Sequence, residues 1–386
     1  MPYPLAVAGS RVKSLRPFAL LALLLLAAIA YQTRIRHEMI DFVTWRQSVV
    51  RAIHAEPLYR AEDGHYQFKY FPAFALMMAP FGALDENSGK MLWFALSIAF
   101  LAALLYWSID ALPDRRRSKQ ALLWITFALM AKFYAHELVL GQVNLMLGAL
   151  LLAALVAIRT GRSLLAGALV GFAVFIKPYA LILVPWLLVT QRVSAAASAG
   201  LVVALGLIMP AAVYGWSGNL ELLRGWWITV SDSTPPNLLG SDNVSFAAMW
   251  AKWLGVGALA SGLTLLTVTV VLILVVIAWW QRRAVSWPPY LEWALLMLLM
   301  PLISPQGWDY VLLLATPAVV CLVDRFVDLT IPWRWITGVA LGVMGFTMFD
   351  ILGRELYGRF MALSAITVCA LVVAGGLVHV RRRGLA

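Results

Sequence analysis

Apolar residues run in long stretches broken by short polar, charged or Gly/Pro-containing segments, and this pattern predicts helices along the whole chain. A helix that crosses a bilayer needs about 20 mostly apolar residues, fewer where it packs inside protein. Twelve segments fit that expectation: 16–33, 88–109, 121–136, 143–158, 163–176, 178–191, 195–215, 257–280, 290–304, 310–324, 335–352 and 360–380. The run 72–84 is apolar but short and carries Pro72 and Pro80, which predicts an interfacial or re-entrant segment. Spans 163–176 and 178–191 meet at Lys177-Pro178. A proline there fits a hairpin or broken helix, tolerated at membrane depth only where protein covers the backbone. Two connections are long, 34–87 and 216–256, and long connections are more often functional than incidental. No internal repeat is evident. The expected architecture is an all-α polytopic membrane protein with about 12 transmembrane helices. It forms a single integral membrane domain over 1–386, with interfacial helices in the first outer loop, 34–87.

Composition supports bilayer as the solvent. Of the 386 residues, 62% are hydrophobic and 13% charged, against about 25% charged in soluble domains. The formal net charge of +11 is spread in short bursts between apolar runs, which is an orientation signal rather than a nucleic-acid footprint. With 72–84 left out of the spans, Arg11, Lys13 and Arg16 share a side with Arg115, Arg116, Arg117 and Lys119. Arg159, Arg162, Arg192, Arg282, Arg283, Arg325, Arg334, Arg381, Arg382 and Arg383 fall there too. The rule then places both termini in the cytoplasm and the chain as a multi-pass protein of the inner (plasma) membrane. The first apolar run lacks a small-residue cleavage site and is expected to be a retained span. Cys321 and Cys369 lie inside apolar stretches and make neither a disulfide framework nor a metal spacing.

The polar residues that look out of place fall on the opposite, outer side. They are Asp41, Lys69-Tyr70, Glu137 with Gly141-Gln142-Val143-Asn144, Lys177-Pro178, Asp242-Asn243-Val244-Ser245 and Ser304-Pro305-Gln306-Gly307-Trp308-Asp309-Tyr310. Convergence on one face is what a site between helices requires; the plainer reading is ordinary loop polarity. Asp41 stands next to bilayer, which is costly for an acid without a task or partner. It is read as a catalytic base, or as the cap of a helix over 42–53. His54, His65 and His136 show no metal-ligand spacing, so no metal cofactor is expected. Lys132, inside a span, is expected to be paired or snorkelling.

The order of these motifs resembles glycosyltransferase family 87, polytopic GT-C-fold enzymes that use polyprenyl-phosphate mannose. The matching pieces are Asp41-Phe42, Tyr70-Phe71-Pro72, Gly141-Gln142-Val143-Asn144, Ile176-Lys177-Pro178, Asn243-Val244-Ser245, and Ser304-Pro305 with Trp308 and Asp309. They extend over roughly residues 35–310; each is short, and their order carries the resemblance. One departure matters. Many family members carry a histidine soon after the Ser-Pro motif, whereas Tyr310 follows Asp309 here, so that histidine's role is not carried over. The resemblance implies a GT-C-like fold, a polyprenyl-phosphate sugar donor, a glycolipid or glycan acceptor, and Asp41 as base.

The residues suit such chemistry. Sugar transfer from a lipid phosphate needs the acceptor hydroxyl to lose a proton as it attacks C1, through a transition state with oxocarbenium character. The phosphate leaves as an anion without an acid, so one carboxylate suffices and one displacement inverts the centre. Position 43 is Val, so no Asp-x-Asp pair holds a metal, and no Gly-rich phosphate loop is present; a nucleotide donor is disfavoured. A single phosphate can be held by cations, with Lys177 first and Lys69, Arg46 and Arg224 behind it. Glu137, Gln142 and Asn144 offer groups for sugar hydroxyls, or caps for helix ends. Tyr70, Asn243, Ser245 and Asp309 are further candidates for sugar or acceptor. Asn243 and Ser245 also read as a glycosylation triplet. Trp308 could stack on a sugar or anchor at the interface; Trp226, Trp227 and Trp250 read as anchors. The rival functions are a transporter or flippase of lipid-linked sugar, which favours broken helices and repeats, an O-antigen-type ligase or polymerase, and a membrane scaffold.

Overall fold

The computed structural model describes residues 22, 24–280 and 286–384. The start of the first expected span, 16–21 with 23, and the basic clusters Arg11–Arg16 and Arg282–Arg283 lie outside the described residues. The chain is helical from 24 to 30, continues through a π-helical turn, Tyr31–Ile35, and a short turn, Arg36–Glu38. The first long connection is itself built of helices: α1 (Ile40–Ile53), α2 (Pro72–Met77) and α3 (Ala79–Gly82). Next come α4 (Glu86–Asp110), α5 (Lys119–Leu140), α6 (Asn144–Arg159) and α7 (Ser163–Ile176). A 3-10 turn over Pro178–Ile182 leads into α8 (Leu183–Val189) and then α9 (Val193–Ile208) and α10 (Ala211–Leu238). The chain ends with α11 (Phe246–Leu254), α12 (Ala258–Trp280), α13 (Pro288–Ile303), α14 (Thr316–Asp324), α15 (Ile331–Phe346), α16 (Phe349–Ala362) and α17 (Ala365–Arg382). Among the described residues no strand occurs; the lone extended pairing is the bridge between Asn243 and Trp308.

Among the described residues, four helices are long and apolar enough to cross a bilayer unaided: α4, α5, α12 over Ala258–Ile277, and α17. Two bent pairs raise the number to six: α9 with α10, at 87°, and α15 with α16, at 105°. The expectation of about twelve crossings therefore also counted helices too short to span alone, among them α6, α7 and α13. Their apolar length is explained by protein as well as by lipid, because α6 and α13 are largely buried against neighbours. A second difference concerns 216–256. It is mostly helix, continuing α10 through Pro235 and Pro236 to Leu238 and then forming α11.

Local chemistry sets these boundaries. Asp85 caps α4 by accepting from the Ser88 N–H at 3.1 Å, and Ser118 caps α5 by accepting from Ala121 at 3.2 Å. Pro178 forces Lys177 into an extended conformation (φ −145°, ψ 120°) and stops α7 there. Helices α7 and α9 pack through small residues. A Cβ on Gly167 would sit 1.9 Å from the Ala195 carbonyl oxygen, and one on Gly171 2.9 Å from that of Ala199, the close approach that small-xxx-small spacing permits.

The polar ends of the bundle separate. At one end, Lys119 pairs with Asp110 at 2.8 Å, Arg159 donates to the Asp110 carbonyl, and buried Asp324 accepts the N–H groups of Arg116 and Arg117. Arg383 reaches the Asp328 carbonyl there. At the other end of the same helices, α5 finishes beside Gln142, and Thr367 near the start of α17 donates to the Val244 carbonyl. Asp41 lies at that end.

Candidate active site

Asp41 stands in the first turn of α1, not ahead of it. The helix starts at Ile40, and the Asp41 carboxylate accepts from the Gln142 side-chain amide at 2.8 Å. The alternative of a helix cap is thus replaced by a contact across the fold. Phe42 and Trp45, both fully buried, fix the face that α1 turns inward.

The turn after α5 delivers Gln142. Gly141 ends that helix in the left-handed region, φ 69°, where a side chain is strained. Space forbids one as well, since a Cβ would lie 2.7 Å from Phe42 Cβ and 3.0 Å from Met39 Cε. The Gly141 carbonyl accepts from two indoles, Trp93 Nε1 at 3.0 Å and Trp45 Nε1 at 3.3 Å. The turn is therefore bolted to α1 and α4, and Gln142 has little freedom. Its amide donates to Asp41 and to the Tyr310 hydroxyl, at 3.3 Å, while its carbonyl accepts from the Tyr70 hydroxyl at 3.0 Å. Tyr70 stacks on Phe74, and the Lys177 ammonium sits 5.2 Å from its ring centroid.

Asp41, Tyr70, Gln142 and Lys177 are thus brought together from four distant segments, and Lys69 lies within electrostatic reach of Asp41. Burial raises the Asp41 pKa, opposed by the Gln142 hydrogen bond and by the charges of Lys177, His136 and Lys69. Burial also lowers the ammonium groups, Lys69 in direction and Lys177, in the break after α7, to about 8. The Glu137 charge and then that of Asp41 pull Lys177 back up, and the Asp41 charge does the same for Lys69. The result is a half-buried carboxylate facing two cations.

Asp309 is 1% exposed and sits at ion-pair distance from His136 Nδ1, 3.1 Å, and from Lys132 Nζ, 3.4 Å. The His136 ring meets Tyr310 edge-on at 5.1 Å, which links this pair to the Gln142 cluster. The sequence weighed His136 only as a metal ligand and Tyr310 only as a departure from the family pattern; neither was taken as a site residue. A signal did exist: Lys132 and His136 stand four apart on one face of an apolar helix, an arrangement that calls for a buried acid.

Most of the other candidates carry structural contacts of their own, although the Glu137 charge also reaches Lys177. Glu137 is buried, and its carboxylate accepts the N–H groups of Asn144 and Leu145 (3.1 Å) and the Asn144 side-chain amide (2.9 Å), so it caps α6. Asn144 is fully buried in that contact. Asn243, also buried, donates to the carbonyls of Pro305 (2.9 Å) and Asn237 (3.0 Å) and accepts from the Ser245 N–H. Ser245 caps α11 through Ala248 and donates to Pro305 at 3.3 Å. Together they staple this turn to the segment carrying Asp309, whose N–H is held by the Asp242 carbonyl at 2.8 Å. Trp308 is half-buried and packs over Gly240. Arg46 donates to the carbonyls of Phe81 and Leu84, closing the end of α3. Arg224 is exposed on α10. Its neighbour on α10, Trp226, grips the first loop: it stacks on Phe71 at 4.0 Å and donates to the Lys69 carbonyl at 3.1 Å.

No curated protein and no solved structure matches the chain. The matched region of the family comparison starts after Asp41, so the case for that residue stands on its contacts. The family model of glycosyltransferase family 87 matches residues 68–305, more than half of the chain, and the protein belongs to that family of membrane glycosyltransferases.

Proposed function

We propose that this glycosyltransferase moves a hexose, most simply mannose, from a polyprenyl-phosphate sugar to an acceptor hydroxyl on a glycolipid or glycan. In this reading the fold is GT-C-like, the membrane is the inner (plasma) membrane, both termini are cytoplasmic, and the site faces outward. The observation that carries it is the Asp41 carboxylate, half-buried, oriented by Gln142 and faced by Lys177 and Lys69.

Asp41 takes the acceptor proton as the hydroxyl oxygen bonds to C1 of the sugar. The bond from C1 to the phosphate oxygen breaks on the opposite face, so the centre inverts. Polyprenyl phosphate departs with the electron pair, its charge met by Lys177 and Lys69. Sugar hydroxyls are met by Tyr70 and Gln142, with Asp309 acting through His136 and Tyr310. Partial burial raises the basicity of Asp41 towards the range a general base needs.

The test incubates purified protein with polyprenyl-phosphate mannose and a panel of acceptors, comparing the parent with Asp41→Asn. Loss of a base is expected to slow transfer by about 10²–10⁴-fold. Equal product from both proteins would remove Asp41 from the mechanism, and flipping of labelled donor without sugar release would replace transfer by transport.

A further inference from the structure

A second polar cavity, of about 520 Å³, lies at the same end of the bundle as Asp41 but outside its contacts; Gln32, Arg36, His37, Asn87, Ser88 and Lys90 line it. That volume falls within the usual range of ligand pockets, about 300–1,000 Å³. It sits where the first helix leaves the apolar zone and meets the start of α4.

Its charges are arranged, not merely present. Lys90 is only 8% exposed, and its ammonium is held by the Arg36 carbonyl at 3.1 Å and the Glu86 carboxylate at 2.9 Å. The Arg36 guanidinium donates to two side chains, Gln32 Oε1 at 2.8 Å and His37 Nε2 at 3.0 Å. Among the described residues Arg36 has no carboxylate partner. With the Lys90 ammonium already paired to Glu86, a guanidinium held without a carboxylate is one anion short, and a phosphate is the anion it fits best. The π-helical turn Tyr31–Ile35 forms one wall, and such turns recur at functional sites.

What lies next to the cavity identifies the kind of anion. Leu24, Leu25, Leu26 and Ile29 on the first helix are exposed, as are Met91 and Leu92 on α4. A polar, cationic chamber above two open aliphatic faces has the polarity profile of a lipid, with its headgroup above and its chains below. We propose that the cavity seats the phosphodiester headgroup of an anionic phospholipid, gripped by Arg36 with Lys90 behind it. The lipid's chains lie along the first helix and α4. This site does not depend on the sugar-transfer reading.

The test uses the full chain in nanodiscs and in native mass spectrometry, with phosphatidylglycerol and phosphatidylcholine of the same chains as probes. The parent is expected to retain phosphatidylglycerol preferentially. Arg36→Gln, an exposed change that leaves the packing intact, is expected to lower that retention about tenfold or more. Arg36→Lys should recover part of it, and Arg354→Gln, at an exposed arginine on α16, should leave it unchanged. Equal retention of both lipids, or undiminished retention by Arg36→Gln, would overturn the proposal. Displacement of the lipid by millimolar glycerol phosphate would do the same, since it would make the site one for a soluble anion.

Discussion

A single amide organises the residue scale. Gln142 spends one N–H on Asp41 and one on Tyr310, and its oxygen on Tyr70. A hydrogen bond to the charged form of Asp41 favours that form, against the burial that raises its pKa. The sign of the pH dependence follows. The base works only when ionised, so transfer should rise with pH through an Asp41 pKa above the ordinary carboxylate value. A cation holding the donor phosphate, the role proposed for Lys177, works only when protonated, so on that reading transfer should fall again as pH passes about 8, where burial places Lys177. The expected kcat/KM profile is bell-shaped. Gln142→Leu removes the hydrogen bond and should move the acid limb to higher pH while leaving the alkaline limb in place. An unmoved acid limb would show that another group sets it. Asp41, Tyr70, Gln142 and Lys177 were legible in the sequence because polarity at a membrane edge is costly. Glu137 and Asn144 were harder to judge: the groups that could meet a sugar are the same groups that cap a helix, and spacing does not separate the two uses. His136 was weighed only as a metal ligand, because its partner, Asp309, is far away in sequence.

At the scale of elements, the turn between α5 and α6 does most to place the site. Its Gly141 combines a left-handed backbone with contact against Phe42 and Met39. Gly141→Ala should cost about 1–2 kcal/mol for the backbone and about 1–3 kcal/mol for overpacking. Thermal unfolding in detergent checks the stability, and donor binding checks the site; a midpoint unchanged from the parent would mean that α1 can shift at no cost. Periodicity gave the long helices well, since their apolar length has one cause. It marked 216–256 only as a long connection; the structure fills it with helix that kinks at Gly215, φ 71°, runs through Pro235-Pro236 and lies on the first loop. The short helices showed the converse difficulty, because an apolar run of 14–16 residues, as in α6, α7 and α13, suits a protein interior and a bilayer equally.

For the whole molecule, the separation of the two polar ends turns the charge pattern into geometry. The arginine-rich connections meet around Asp110, Asp324 and Asp328, and the candidate site lies at the far ends of the same helices. The proposed orientation predicts that Ser241→Cys, on a background lacking the two native cysteines, reacts with an impermeant thiol reagent on intact cells. Arg162→Cys should react only after permeabilisation. The reverse pattern would invert the protein in its membrane. The seam between α10 and the first loop has its own consequence. It is closed by the Trp226–Phe71 stack, by the indole on the Lys69 carbonyl, and by the Tyr214 hydroxyl on the Glu56 carbonyl. On the proposed reading, a carrier trailing a long isoprenoid would have to slip in sideways and leave the same way once spent. The pace of that cycle would then be tied to how readily one aromatic latch unfastens, not only to how fast a sugar changes hands.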